Sequence, residues 1–374
     1  MRVYGHARVH DLLGDFIVYR SLAPLDPRLP GLPRLREGIG LAPGLIPRKS
    51  SPEYAQVVVS ILQEAQKLNG NRGPVMRLVY IGDTRVNDGI AFSNLCQAGG
   101  WRGMAFIGAE DGGPARLEVV EEETGTLVFS NRWAGLEDFP RMSRDFPIDE
   151  QTVVVIDLDK TLLGARGRND HVIDKVRLTA VRETIFQVLG EGFSEASFTR
   201  NYTQLNQPEF HPFTTDNQDY LAYVCLILES GLLSLEELTT AIRSGRMRDF
   251  TGFLSWVDAR VETLPRGVRR VHEHVRTAVM DGDPTPFKEF RRNEYRETVS
   301  HMGYMDDESL VQDLLTDEIV ITHEVKQAAI RWRDQGALLF GLSDKPDEAS
   351  LPPSQLEAQG YQPIHRVSTH VVGG

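Results

Sequence analysis

Two acidic side chains, Asp157 and Asp159, follow an apolar run near the middle of the chain. The run, residues 153–156, consists of four β-branched residues, which is typical of a short strand buried inside a parallel sheet. Because side chains alternate along an extended backbone, both carboxylates can point the same way at the strand's carboxyl end, where open α/β sheets bind ligands. Paired carboxylates repel each other unless a cation or a proton lies between them. The pattern therefore indicates a Mg²⁺ site, and a carboxylate here can also serve as a covalent nucleophile.

A second acidic turn follows another apolar strand, residues 77–81, and carries Asp83 and Asp88. A helix is predicted before this strand, because Ser51 can cap its first turn and Pro52 suits the position that follows. A Gly-Asp turn between a strand and a helix is also ordinary turn chemistry. Two acidic strand ends in one chain favour a shared Mg²⁺ ion, which needs acids that converge from separate strands.

The two acidic turns resemble motifs of the haloacid-dehalogenase superfamily, most of whose members are Mg²⁺-dependent phosphohydrolases. Asp157-Leu-Asp159-Lys-Thr161 is similar to the first motif, DxDxT, and the turn with Asp83 and Asp88 is similar to the fourth, GDxxxxD. The resemblance implies that Asp157 attacks phosphorus and that Asp159 acts as general acid and base. It also implies that Asp157, the backbone carbonyl of Asp159 and Asp83 hold Mg²⁺, with Asp88 close by or behind them.

The remaining motifs concern the phosphate group. The strand at residues 337–342 and the following Ser343 resemble the second motif, whose hydroxyl hydrogen-bonds a phosphoryl oxygen. The third motif is a lysine that neutralises the nucleophile and the phosphate. Lys49 is preferred for this role because the helix and strand after it match the family, and Lys345, just after Ser343, is the competitor. The resemblance thus implies that Thr161, Ser343 and Lys49 orient the phosphate.

The order of the motifs departs from the family. Here the third and fourth motifs precede the first and second, which predicts a circular permutation; permutation is allowed where chain ends lie close together at the surface. The cut is predicted to fall after a strand within residues 363–370. Residues 1–47, interrupted by prolines, predict an irregular segment, and residues 108–150 predict a β-hairpin followed by a linker without catalytic duty.

A long helical segment separates the first motif from the second. Its position resembles the helical cap that many superfamily members place over the active site, where it can exclude water and select the substrate. The predicted fold class is α/β, with a Rossmann-like parallel sheet core of the haloacid-dehalogenase type, circularly permuted, and a large helical cap. The core is assigned to residues 1–164 and 319–374, and the cap to residues 165–318.

The predicted cap contains a basic stretch in an otherwise acidic chain. Arg291 and Arg292, followed by Arg296, suit the recognition of phosphate or carboxylate and could bind a charged leaving group. The alternative is an ordinary solvated face with Glu/Arg pairs. His272 and His274 are assigned to a helix surface rather than to a metal site, since a spacing of two residues places them on different faces.

Composition limits the classes of function. The chain has 374 residues and a formal charge of −12, which disfavours general binding to nucleic acids or anionic membranes. Its longest apolar run, residues 220–233, is too short to span a bilayer, and no secretory signal is visible. Cys96 and Cys225 are interpreted as buried free thiols. These features predict a cytoplasmic protein, and they leave the oligomeric state open.

The predicted function is that of a Mg²⁺-dependent phosphohydrolase acting on a small phosphorylated metabolite through an aspartyl-phosphate intermediate. A phosphomutase or phosphotransferase would use the same residues with a different acceptor. A phospho-ligand-binding protein without activity is a further alternative. The resemblance disfavours a true dehalogenase, because that chemistry dispenses with the second acid, present here as Asp159.

Overall fold

The computed structural model describes residues 1–70, 73–142 and 146–374. The chain forms two compact units: unit 1 comprises residues 1–175 and 298–374, and unit 2 comprises residues 176–297. The predicted cap range, residues 165–318, extends beyond unit 2 at both ends. No helix among the described residues is long and apolar enough to cross a membrane.

The described strands all belong to unit 1. They are β1 (Arg2–Ala7), β2 (Ile17–Val18), β3 (Arg77–Gly82), β4 (Arg102–Gly108), β5 (Leu117–Glu122), β6 (Gly125–Ser130), β7 (Thr152–Asp157), β8 (Ile321–Thr322), β9 (Leu338–Leu342) and β10 (Thr369–Gly373). Seven of them form one sheet in the order β2-β9-β7-β3-β4-β6-β5. All pairs in this sheet are parallel except β5 with β6, which form the predicted hairpin. The predicted α/β class with a mostly parallel sheet is therefore confirmed.

The helices make up the rest of the regular structure. In chain order they are α1 (Val9–Leu13), α2 (Leu32–Ile39), α3 (Pro52–Leu68), α4 (Asn87–Gly99), α5 (Asp170–Leu189), α6 (Glu195–Leu205), α7 (His211–Thr214), α8 (Gln218–Glu229), α9 (Leu235–Arg243), α10 (Phe250–Asp258), α11 (Arg266–Met280), α12 (Lys288–Ser300), α13 (Val311–Asp317), α14 (His323–Asp334) and α15 (Ser354–Glu357). Helix α3 begins where the sequence predicted it to begin. The Ser51 hydroxyl accepts a hydrogen bond from the N–H of Tyr54 at 3.3 Å and caps the first turn.

Strand β7 is the centre of the main sheet, and every one of its residues is buried. Its parallel neighbours are β9 on one side and β3 on the other, with Ile156 in register with Ile81 and with Gly341. Because parallel strands end at the same edge, the segments after β3, β7 and β9 meet there. The acids that follow β3 and end β7 therefore lie on adjacent strands, which the predicted convergence of acids requires.

The prediction that residues 1–47 form an irregular segment holds only in part. The segment contains β1, α1, β2 and α2, and it joins both sheets of unit 1. Strand β2 pairs with β9 over two residues, and β1 pairs with β10. Such short elements carry almost no local signal, because a neighbouring strand rather than their own sequence supplies their hydrogen bonds.

The predicted strand within residues 363–370 is also displaced. Residues 364–366 form a 3-10 helix, and the strand that follows, β10, lies between β1 and β8 in a separate three-stranded sheet. The predicted linker contains two short 3-10 helices, at residues 133–137 and 139–142. Cys96 and Cys225 are buried and free, as predicted.

Unit 2 consists of helices around its own apolar core, to which Phe213, Tyr223 and Phe253 contribute. His272 is 1% exposed, so its predicted place on the helix surface is wrong. Its Nδ1 lies 2.5 Å from the Tyr223 hydroxyl, and this partner allows the ring to be buried. His274 is exposed, as predicted.

Candidate functional site

Asp157 is the last residue of β7 and is 4% exposed. The chain turns back directly after it, since Lys160 has a left-handed φ of 63°. This turn returns Thr161 to the strand end, where its hydroxyl donates to Asp157 Oδ2 at 3.1 Å. The structure therefore brings Thr161 to the predicted nucleophile.

Lys49 connects the two acidic turns. Its ammonium group donates to Asp157 Oδ1 at 2.6 Å and to Asp88 Oδ1 at 2.7 Å, and all three side chains are buried. Burial lowers the pKa of Lys49, but the charges of Asp157 and Asp88 outweigh this effect and hold the pKa well above its ordinary value. Lys49 is therefore a permanent positive charge between the two acids.

Asp88 is fully engaged by the protein. Its Oδ2 accepts the N–H groups of Asp83 at 3.0 Å and Thr84 at 2.8 Å, and Tyr80 donates its hydroxyl to Oδ1 at 2.9 Å. Burial acts to raise the pKa of Asp88, but Lys49 and these hydrogen bonds hold it below its usual range. Asp88 thus anchors Lys49, and its oxygens are directed to protein groups rather than to an open site.

Gly82 permits this arrangement by its lack of a side chain. A Cβ at this position would lie 2.6 Å from Asp88 Cγ, which is too close for any real contact. The glycine of the Gly-Asp turn is therefore needed for the close approach of Asp88 to the backbone.

Asp83 follows β3 directly, next to the end of β7. Burial raises the pKa of Asp83 to about 7, with a further increase from Asp88, while Arg166 acts to lower it. The Nε–H of Arg166 donates to Asp83 Oδ2. Burial likewise raises the pKa of Asp157 well above its usual range, although Lys49 opposes the shift. The buried carboxylates of Asp83, Asp88 and Asp157 therefore carry more negative charge than Lys49 and Arg166 neutralise.

Asp159 and the second lysine form another part of the site. The Asp159 side chain is 27% exposed, and Lys345 Nζ lies 3.8 Å from its Oδ1. Ser343 follows β9 and is buried; its hydroxyl accepts the N–H of Lys345 at 3.1 Å. The two candidate lysines therefore have different partners, since Lys49 contacts Asp157 and Lys345 faces Asp159.

The predicted metal ligands near the end of β7 suit a hard cation such as Mg²⁺. Carboxylate and carbonyl oxygens are the ligands that Mg²⁺ prefers, and Asp83, Asp157 and the Asp159 carbonyl offer only oxygen. The described acids do not bring three carboxylate oxygens within 4.8 Å of one another. Arg166 holds Oδ2 of Asp83, so Asp83 would coordinate an ion through Oδ1 or share Oδ2 with the arginine.

A concave surface of unit 1 adjoins Asp83. It is lined by Asp83, Arg85, Asp111, Arg116 and Phe129, among others. The guanidinium of Arg85 lies 4.1 Å from the centre of the Phe129 ring and is held by both oxygens of Glu118 at 2.7 Å. The surface beside the acids is therefore polar and carries fixed guanidinium groups.

The predicted cap arginines belong to unit 2. Arg291 is buried, and it pairs with Asp219 and, at 2.6 Å, with Glu294. Its guanidinium is therefore held inside unit 2 by acids, as in the predicted Glu/Arg pairs, but it does not lie on a solvated face. Arg292 and Arg296 are exposed.

Two members of the site were missed in the sequence. Tyr80 lies inside an apolar strand, so its type and place indicated only core packing. Arg166 follows the first acidic turn by a few residues, and this proximity was the available signal. Neither residue could be assigned a partner, because the pairing of Arg166 with Asp83 joins segments far apart in the chain.

Comparison with protein-family models found no match, and neither the curated proteins nor the solved structures gave a match.

Proposed function

We propose that this protein is a Mg²⁺-dependent phosphohydrolase of the haloacid-dehalogenase type, acting on a small phosphorylated molecule. The observation that carries the proposal is the contact of Lys49 with both Asp157 and Asp88 at the carboxyl edge of the main sheet. A carboxylate at the end of a central strand, neutralised by a lysine anchored on the neighbouring turn, is what a phosphoryl-accepting nucleophile needs.

The arrangement of strands supports the permuted motif order. Strands β9, β7 and β3 are consecutive in the sheet, although they follow the opposite order along the chain. Ser343 and Asp83 come directly after β9 and β3, and Asp157 is the last residue of β7. The short strand β2 extends the same sheet beyond β9 and precedes Lys49 in sequence. A chain cut between β9 and β2 would produce this order from the family's usual one.

The electrostatics support a bound divalent cation. Burial raises the pKa of both Asp83 and Asp157, which means that each gains from a positive charge or a proton nearby. When bound, Mg²⁺ would be held by Asp83, Asp157 and the Asp159 carbonyl and would offset negative charge on the phosphate and the acids.

Each residue of the site has a separate role in the proposed reaction. A carboxylate oxygen of Asp157 attacks phosphorus and displaces the ester oxygen, which takes a proton from Asp159. Asp159 next removes a proton from water, which attacks the phosphorus of the aspartyl-phosphate and restores Asp157. Lys49 stabilises the charge on the transferring group throughout, while the Thr161 and Ser343 hydroxyls orient it.

Release of inorganic phosphate from a broad panel of phosphate esters, with and without Mg²⁺, tests the proposal. We expect Mg²⁺-dependent turnover that falls by roughly three orders of magnitude in Asp157→Asn, because the amide cannot act as the nucleophile. The exposed Asp313→Asn, which has no contact with the acidic turns in the described part of the chain, serves as a matched control and should keep full activity. Mass spectrometry of rapidly quenched wild-type protein should find the phosphoryl group on Asp157.

Two outcomes would contradict the proposal. The first is that Asp157→Asn keeps more than about a tenth of the wild-type rate. The second is that the protein binds phosphate esters but releases no phosphate from any of them. Transfer of the phosphoryl group to an added alcohol or sugar in preference to water would instead identify a phosphotransferase that uses the same nucleophile.

A further inference from the structure

A pair of histidines faces the same side of the small three-stranded sheet in unit 1. His6 of β1 lies directly opposite His370 of β10, and residues opposite each other in antiparallel strands place their side chains together. Their ring centres are 3.9 Å apart. Asp307, in the segment after α12, completes the group: its Oδ1 lies 3.4 Å from His6 Nδ1 and 3.6 Å from His370 Nε2.

His370 is the buried member of this group and is held in a defined orientation. Its Nδ1 lies 2.7 Å from Glu318 Oε1, and both side chains are fully buried. An ionised carboxylate can only accept a hydrogen bond, so Nδ1 carries the proton and donates it. In the neutral ring Nε2 then presents its lone pair to the space between His6 and Asp307.

That nitrogen has no hydrogen-bond partner within the described part of the chain. The carboxylate of Asp307 is too distant at 3.6 Å to form one. Buried polar atoms are nearly always paired, and a missing partner calls for an explanation such as an ion. A cation between the three side chains would satisfy Nε2 and the Asp307 carboxylate together.

Glu318 also ties together the segments that carry two of the three ligands. Its Oε1 accepts the Thr369 hydroxyl at 2.8 Å and the backbone N–H of His370 at 3.1 Å. Its Oε2 accepts the N–H of Met305 at 3.1 Å, two residues before Asp307. A carboxylate that holds the far nitrogen of a histidine in this way is typical of metal sites, where it fixes the ring and makes the ligand more basic.

The spacing of the ligand atoms fits a small tetrahedral ion. Zn²⁺ binds histidine nitrogen and carboxylate oxygen at about 2.0–2.2 Å, which places neighbouring ligand atoms roughly 3.3 Å apart. The separations of 3.4 and 3.6 Å are close to this value, and all three atoms lie within 4.8 Å of one another. Two imidazoles suit Zn²⁺ and related transition ions, whereas Mg²⁺ prefers oxygen ligands.

We propose that His6, Asp307 and His370 bind a divalent transition-metal ion of the Zn²⁺ type, with Glu318 as the positioning residue. Three protein ligands leave a coordination position for water. The ion would join β1, near the start of the chain, to β10, near its end, and to the segment after α12. This site is separate from the acids around Asp157, and the proposal does not depend on the phosphohydrolase activity.

Calorimetric titration of the full chain with Zn²⁺, after removal of metals by a chelator, tests the proposal. The titration is done in millimolar Mg²⁺, which occupies sites made of oxygen ligands alone and leaves a histidine-rich site open. We expect one equivalent of Zn²⁺ to bind and to raise the melting temperature. Co²⁺ at the same site should give the visible absorption of tetrahedral coordination.

Single substitutions test whether the ion binds at these residues. His6→Ala and Asp307→Asn change side chains that are not needed for the core, and each should weaken Zn²⁺ binding about tenfold or more. Glu318→Gln, which leaves all three ligands in place, should weaken it by roughly 10–100-fold. The matched controls Asp306→Asn and His10→Ala should bind as the wild type does.

Absence of Zn²⁺ binding in Mg²⁺-containing buffer would overturn the proposal. So would binding of unchanged affinity in both His6→Ala and Asp307→Asn, since the ion would then lie elsewhere. Neither of these two side chains is deeply buried, so circular dichroism should show that both variants fold. Their comparison with the wild type therefore tests the site even if a variant of His370 fails to fold.

Discussion

At the residue scale, the structure separates two lysines that the sequence left as competitors. Lys49 donates to Asp157 and Asp88 from a fully buried position, while Lys345 stands 3.8 Å from the half-buried Asp159. A buried lysine between two acids neutralises charge strongly, because little water screens the interaction. The geometry therefore favours Lys49 over Lys345 as the group that neutralises Asp157, the proposed nucleophile.

Replacement of each lysine by methionine should give different results. Lys49→Met should lower phosphate release by about two orders of magnitude or more, since it removes a charge from the reacting groups. It should also destabilise the protein by about 3 kcal/mol, because two buried acids lose their shared cation. Rates with the best ester of the panel and urea unfolding measure the two effects.

Lys345→Met is the comparison variant. Lys345 is also buried, but its acidic partner Asp159 is more exposed and more distant, so the free energy of unfolding should fall by less than it does in Lys49→Met. The assignment would be wrong if Lys345→Met lost more activity than Lys49→Met while both variants remained folded.

At the element scale, a buried arginine holds three separate parts of unit 1 together. Arg168, in the loop after β7, donates to Glu110, which follows β4, and to Glu324 in the first turn of α14. Burial acts to raise the pKa of Glu324, but the hydrogen bonds and charge of Arg168 hold it below its usual value. The loop that carries the acids is thereby fixed to a strand end and to a helix.

Glu324→Gln should reveal this link through the pH dependence of stability. A carboxyl whose pKa is lower in the folded state stabilises the protein above its unfolded pKa, near 4.5, and loses that effect as the pH falls through the folded pKa. At neutral pH the variant should be less stable by about 1.5–3 kcal/mol. The difference from the wild type should shrink steadily below about pH 4.5.

Urea unfolding over a series of pH values measures this difference. The exposed Glu357→Gln is the matched control, and it should remain within about 0.5 kcal/mol of the wild type at every pH. A stability difference for Glu324→Gln that is the same at neutral and acid pH would show that the ionised carboxylate is not its cause.

At the scale of the whole molecule, the two ends of the chain lie side by side. Strands β1 and β10 are antiparallel neighbours, with Arg2 in register with Gly373. Contacts of the main sheet do not depend on the order of its strands along the chain, so the ends can be joined and new ends opened elsewhere. This proximity of the termini is the physical condition that the permutation hypothesis requires.

A chain with its ends joined by a short Gly/Ser linker and reopened between Pro147 and Ile148 should fold to the same structure. It would present the motifs in the order first, second, third and fourth, while every sheet pair is kept. We expect a melting temperature within several degrees of the wild type and retention of any phosphohydrolase activity. A joined chain reopened inside β3 is the negative control. Failure of the first chain to fold would contradict the proposed equivalence of the two orders.

Local sequence patterns were enough to predict the strands that carry the acids and the helix before the second turn. Apolar runs such as residues 153–156 are bounded by turn residues, and a serine cap marks the start of α3, so local patterns were sufficient. These patterns also placed Asp157 and Asp83 at strand ends. The resemblance then supplied the roles of the acids and the preference for Lys49.

The partners of the short strands and of the buried polar side chains could not be predicted in this way, because they come from distant parts of the chain. The two-residue strand β2 exists because β9 provides its hydrogen bonds, and His272 could be buried because Tyr223 reaches it from another helix. Likewise, Arg166 meets Asp83, and His6 meets His370, from opposite parts of the chain. Local sequence patterns do not predict such long-range contacts, because each contact depends on the burial of side chains and the pairing of strands in the folded protein.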